Sequence, residues 1–109
     1  MIGERKARTD GYEKVTGRAI YGNDIKRHSM LHAVCRYTDI PAGKVLNIDI
    51  SKAEKMDGVR AIALSRDIPG DLKIGPVRAD FAPIAKDEVH FIGDVLAVVA
   101  AESRSQAIK

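Results

Sequence analysis

The stretch Lys44 to Ser65, "KVLNIDISKAEKMDGVRAIALS", decides the fold. Val45, Asn47 and Asp49 alternate with Leu46, Ile48 and Ile50, which predicts a strand with one apolar and one mostly polar face. Ser51 and Glu54 then stand three apart, as a capping box requires. The Ser51 hydroxyl can accept from the Glu54 amide, and the Glu54 carboxylate can reach back to the Ser51 amide. A short helix through Met56 should follow and stop near Gly58, where glycine can take the left-handed conformation. "VRAIALS", Val59 to Ser65, reads as a second strand. Strand, helix and strand are complete within about twenty residues, tighter than a usual parallel crossover. The expectation is an α+β domain, a mixed sheet with short connecting helices, and not a doubly wound nucleotide fold.

Upstream, "MLHAVCRY" (Met30–Tyr37) is partly alternating and mostly apolar, a strand that Pro41 and Gly43 end. Residues 1–9 form a polar arm, and Asp10 to Ser29 has no sustained helical or strand period. Downstream, "RDIPGD" is a turn and residues 71–83 are irregular. "EVHFIGDVLAVVAAE" regains strand character in two pieces, broken at Gly93–Asp94. The second piece, Val95–Ala101, is apolar throughout and reads as a central strand buried on both faces. Ser103 can cap a final helix. One domain over residues 10–109 is expected.

Composition narrows the function classes. A hydrophobic fraction of 45% suits a globular chain of 109 residues, and aromatics at 5% leave the core to Ile, Val, Leu and Ala. A formal charge of +3 is too small and too scattered for a nucleic-acid surface, and no aromatics accompany it. The longest apolar run, Val95–Ala101, is too short to cross a bilayer, and no apolar run follows the charges of "MIGERKARTD" as in a signal peptide. The single cysteine, Cys35, forms no internal disulfide. The expectation is a cytoplasmic protein with no membrane and no nucleic-acid partner.

Candidate constellations fail on spacing. In "DGYEKVTG" (Asp10–Gly17), Lys14 is followed by Val15, and no strand precedes it. A phosphate loop requires Lys-Ser/Thr after a buried strand, and Gly11, Gly17 and Gly22 miss the dinucleotide spacing. His28 and His32 are four apart, but they lead into a strand, where that step separates them by about 13 Å. His90 falls on the polar side of its strand. Cys35 lies between Val34 and Arg36 with no base beside it, a packed thiol by its context. Asp87 and Glu88 would face opposite ways. No catalytic, cofactor-binding or metal residue is assigned.

The blocks taken in order carry a resemblance. They are Asp10-Gly11, Lys14-Val15-Thr16-Gly17, Asp24-Ile25, Ile48-Asp49, Ser51-Lys52-Ala53, Gly58-Val59, Asp67-Ile68-Pro69-Gly70 and Gly93-Asp94, with Asp87, Val89 and Ala97. From about Arg8 onward the chain resembles the N-terminal α/β-hammerhead domain of the molybdenum hydroxylases, the xanthine dehydrogenase and aldehyde oxidase family. Val95 stands where many relatives have Pro.

The resemblance implies an oxidoreductase that hydroxylates purines, aldehydes or N-heterocycles with oxygen from water. It implies a molybdenum–pterin cofactor, 2Fe-2S iron–sulfur clusters and, in many members, FAD, none of them bound by this chain. The implied partners are the remaining molybdenum-subunit domains and the iron–sulfur and FAD portions. The catalytic glutamate of the family lies downstream of the hammerhead, so this chain alone is expected to be inactive. Relatives continue into a further strand, so the chain is expected to be truncated within or just after its last helix. The open sheet edge would then pair with a second copy. Asp10, Gly11, Lys14, Thr16 and Gly17 become candidate interdomain docking residues, their side chains fixing an irregular lead-in segment. The alternative reading is a stand-alone small binding or regulatory module on a hammerhead fold.

Overall fold

A computed structural model describes residues 2–70 and 73–109. Its elements are α1 (Gly11–Val15), β1 (His32–Tyr37), β2 (Gly43–Lys44), β3 (Val59–Ala63), β4 (Glu88–Val89), β5 (Val95–Ala101) and α2 (Arg104–Ile108). Single 3-10 turns occupy Gly22–Asp24, Ala53–Lys55 and Ser65–Asp67.

The main sheet has the order β1-β5-β3, and a second small sheet pairs β2 with β4. Among the described residues every pairing is antiparallel, so the α+β class holds while the expected mixed sheet does not. The reason is topological: β1 and β3 run the same way, but β5 inserts between them. The apolar character of β5 follows from this place. Val99 lies opposite Val34 on one side and Ile62 on the other, and Val98 lies between Cys35 and Ala63. The β3 register slips between Val59 and Ala61, leaving Arg60 as a bulge residue whose guanidinium pairs with Glu102.

Two expectations for Lys44–Ser65 are corrected. Residues 46–50 join no strand. Val45 adds one bond to Asp87 beyond the β2–β4 ladder, and Leu46 is exposed. Alternation marks a two-faced segment but supplies no pairing partner, and β5 is already flanked on both sides. The capping box is also absent. The Ser51 amide donates to Asp49 Oδ1 at 2.9 Å, and the Glu54 amide donates to the Ile50 carbonyl at 2.9 Å. The helix shrinks accordingly to one 3-10 turn. The turn ends at Lys55, with Met56 already extended, and Gly58 at φ +81° instead forms the tight turn that leads into β3.

At the C-terminal end, Ser103 caps α2 by accepting from the Gln106 amide at 3.3 Å. α2 lies over β1 and β5, where Ala107 and Ile108 share a cleft with Val34 and Val99. This five-residue helix is too small to cover the sheet. Ala97 and Ala101 are buried, but the rest of β5 is half-buried, short of the two-sided burial expected.

The second core lies where the break at Gly93–Asp94 hands the chain from the small sheet to the main one. Thr38 and Asp94 are buried there beside Ala85, whose amide donates to Val95, and Leu64, Ile84 and Val89 are further buried apolar side chains. Asp94 Oδ2 accepts from the His90 amide at 2.9 Å. Its carbonyl accepts from the Thr38 amide at 2.9 Å, and the Thr38 carbonyl accepts from Gly93 at 3.0 Å. This exchange ties the end of β1 to the start of β5. Along the chain between β3 and β4, Ile74 and Phe81 form an isolated antiparallel bridge within an otherwise irregular segment.

The whole is extended. Its radius of gyration is 19.9 Å, against about 13 Å for a compact chain of this length. No large side chain is fully buried among the described residues. Among those residues no helix is long and apolar enough to cross a membrane.

Candidate functional site

The segment from Arg8 to Asp24 is held by its own bonds. Asp10 accepts from Arg8 Nε at 2.5 Å and pairs with Lys14 Nζ at 2.8 Å, one helical turn on. Thr16 Oγ1 donates to the Tyr12 carbonyl at 2.7 Å. Gly17, at φ +70°, closes α1: its amide donates to Lys14 and the Arg18 amide to Glu13, the paired bonds of a Schellman stop. Asp24 Oδ2 accepts from the Tyr21 amide at 2.9 Å, closing the next turn.

The structure therefore brings Asp10, Lys14 and Thr16 into one locally bonded turn. This segment is helical where no regular element was expected. An Asp before it, Lys14 in its last turn and Gly17 just beyond are the start and stop signals that mark it in the sequence.

Lys14 first, and Arg8 second, hold the Asp10 carboxyl below its ordinary value. A lowered folded-state value means that the pair stabilises α1 above the ordinary carboxylate range. That contribution is lost as pH falls through the lowered value. The carboxyl resonance of Asp10 is expected to titrate below an unperturbed aspartate, and Lys14→Gln is expected to raise its midpoint. An unchanged midpoint in that variant would refute the pairing.

The apolar side chains of this segment find no cover within it. α1 buries no residue, and Tyr12, Val15, Ile20, Tyr21 and Ile25 are all exposed, Val15 at 84% and Ile20 at 78%. Arg18 lies over the Tyr12 ring, 5.9 Å from its centroid.

Elsewhere the groups are dispersed. An open cleft of about 630 Å³ beside β4 is lined by Lys73, Phe81, Asp87, His90, Phe91 and Asp94 among others. Its buried carboxylate, Asp94, is committed to the His90 amide. His28, His32 and His90 are not brought together, and among the described residues no three His, Cys, Asp or Glu side chains could hold a metal. Cys35 is half-buried in β1 opposite Val98, and hydrogen bonding to its thiol pushes the Tyr37 phenol up.

Residues 16–109 match the family described as "Aldehyde oxidase and xanthine dehydrogenase, a/b hammerhead domain". The chain belongs to this family. It is 35% identical over 102 residues to a probable xanthine dehydrogenase subunit of Bacillus subtilis, covering 94% of this chain and 14% of that one. With the nicotinate dehydrogenase large molybdopterin subunit of Eubacterium barkeri it shares 34% over 103 residues, 94% of this chain and 24% of that subunit. The solved aldehyde oxidoreductase of Desulfovibrio gigas superposes with a TM-score of 0.84 at 26% identity, over 93% of this chain and 12% of that one. CO dehydrogenase of Oligotropha carboxidovorans superposes at 0.86 and 25%, over 97% and 14%. The hammerhead domain thus spans between about an eighth and a quarter of these relatives.

Of the cofactors that the resemblance implies, the iron–sulfur cluster does not fit this domain's own donors. A 2Fe-2S cluster takes four cysteine thiolates in its usual form, and the domain has Cys35 alone.

Proposed function

We propose that this hammerhead domain is a structural and assembly element of a molybdenum-dependent hydroxylase of the xanthine dehydrogenase type. The enzyme's substrates would be purines, aldehydes or N-heterocycles, and its catalytic residues would lie on the rest of the protein. The observation that carries this reading is surface. The domain exposes 9305 Å², whereas a compact monomer of 11.9 kDa exposes about 6,000 Å². Large apolar side chains are exposed along the chain, among them Val15, Ile20, Leu46, Val77 and Ile92, and a cluster of such side chains marks an interface. The partners would be the remaining molybdenum-subunit domains and the iron–sulfur and FAD portions, in the cytoplasm. The Eubacterium barkeri relative is a large molybdopterin subunit, which supports the molybdenum–pterin assignment. Asp10, Gly11, Lys14, Thr16 and Gly17 would fix the docking segment.

Affinity purification from the native host tests this. The expected result is recovery with identified molybdopterin- and iron–sulfur-bearing polypeptides in fixed ratio, with molybdenum and iron measured in the same fraction. Recovery at its own mass, free of both metals, would sink the proposal.

A further inference from the structure

The charge of the chain is not scattered, as the composition suggested, but unevenly shared. Over residues 1–28 Lys and Arg outnumber Asp and Glu by seven to four, and over residues 29–109 they balance at eleven each. All of the net +3 therefore lies in the segment that precedes β1. The same segment carries the five exposed apolar side chains from Tyr12 to Ile25. Its acidic groups are mostly spent locally: Asp10 is held by Arg8 and Lys14, and Asp24 by the Tyr21 amide. Lys26 and Arg27 have no ion-pair partner among the described residues. The outcome is a pre-bent strap with apolar side chains along it and uncompensated cations at its end.

We infer that residues 8–28 dock on a protein surface with an apolar floor and a rim of Asp and Glu carboxylates, contributed by the rest of the same enzyme. This rests on the assembly reading above and adds the chemistry of the partner. The apolar side chains supply contact area, and the cations choose the site and orientation by charge complementarity. A polyanionic nucleic acid or an anionic membrane suits the segment less well. Its cations are diluted by carboxylates and by apolar groups every few residues, and no helix of eight residues or more presents them on one face.

Two readouts on the intact enzyme test the inference. A zero-length carbodiimide reagent joins lysine amines to carboxylates in ion-pair contact, and the linked peptides are mapped by mass spectrometry. Lys26 is expected to link to an Asp or Glu outside residues 1–109. Backbone amide exchange over residues 11–25 is expected to be slow at low salt and several-fold faster at high salt, while exchange in β5 stays unchanged. Lys26→Gln with Arg27→Gln should reproduce the high-salt rate at low salt.

Failure of the inference and failure of the assembly reading look different. Salt-independent protection of residues 11–25, or Lys26 linked only within residues 1–109, would overturn the acidic partner and leave docking intact. Exchange over residues 11–25 as fast as in unprotected amides would overturn both.

Discussion

Gly58→Val is expected to destabilise the domain by about 1–3 kcal/mol, toward the upper end because valine is β-branched. Two costs combine. Gly58 sits at φ +81°, where an L side chain is strained, and a Cβ there would lie 2.1 Å from Gln106 Nε2. The collision is the softer of the two, because the amide of Gln106 ends a flexible side chain. Swinging it away gives up its 2.6 Å contact with the Ser103 hydroxyl and loosens the first turn of α2. Gly58→Ala combined with Gln106→Ala separates the terms, since the double variant removes the collision and keeps the dihedral strain. Denaturant unfolding measures both. If Gly58→Val unfolds at the wild-type midpoint, the left-handed turn is not a constraint on the fold.

Asp94→Ala is expected to cost about 1–3 kcal/mol, and Asp94→Asn clearly less. Asp94 is 5% exposed, and its carboxylate accepts from the His90 amide. Alanine removes that acceptor, while asparagine keeps a carbonyl oxygen at the same position. Because the main-chain bonds of Thr38 and Asp94 connect β1 to β5, the loss should appear first as faster amide exchange at Thr38 and Gly93. Uniformly faster exchange over the whole chain would argue against a local tie.

These two positions show which physical signals reach through to structure. Gly58, the Ser103 cap and the all-apolar run Val95–Ala101 are local signals with local consequences, and they recover the turn, the final helix and the central strand. The resemblance carried by the spaced blocks reaches the family. Pairing is another matter. Val45–Ile50 has the alternation of a strand and yet lacks a neighbour, because strand partners are chosen among distant segments. β2 and β4, at two residues each, are too short to carry a periodic signal at all. The docking candidates Asp10, Lys14 and Thr16 are legible as side chains that fix a bend. The helical turn they build is too short, at five residues, to show a period, so only its flanking signals mark it. A docking partner, in turn, leaves no periodic mark on the segment that meets it.

The strand order described above has a consequence for synthesis. β1 and β3 do not pair with each other; both wait for β5, whose pairing with His32 spans nearly seventy residues of chain. During translation the main sheet cannot begin to close until Val95, the first residue of β5 to pair with β1, has cleared the ribosome. Until then two strands and the apolar strap remain unprotected. Long-range pairing of this kind is slow relative to helix formation and exposes the nascent chain to aggregation. Demand for a chaperone should therefore be greatest in the interval just before β5 emerges.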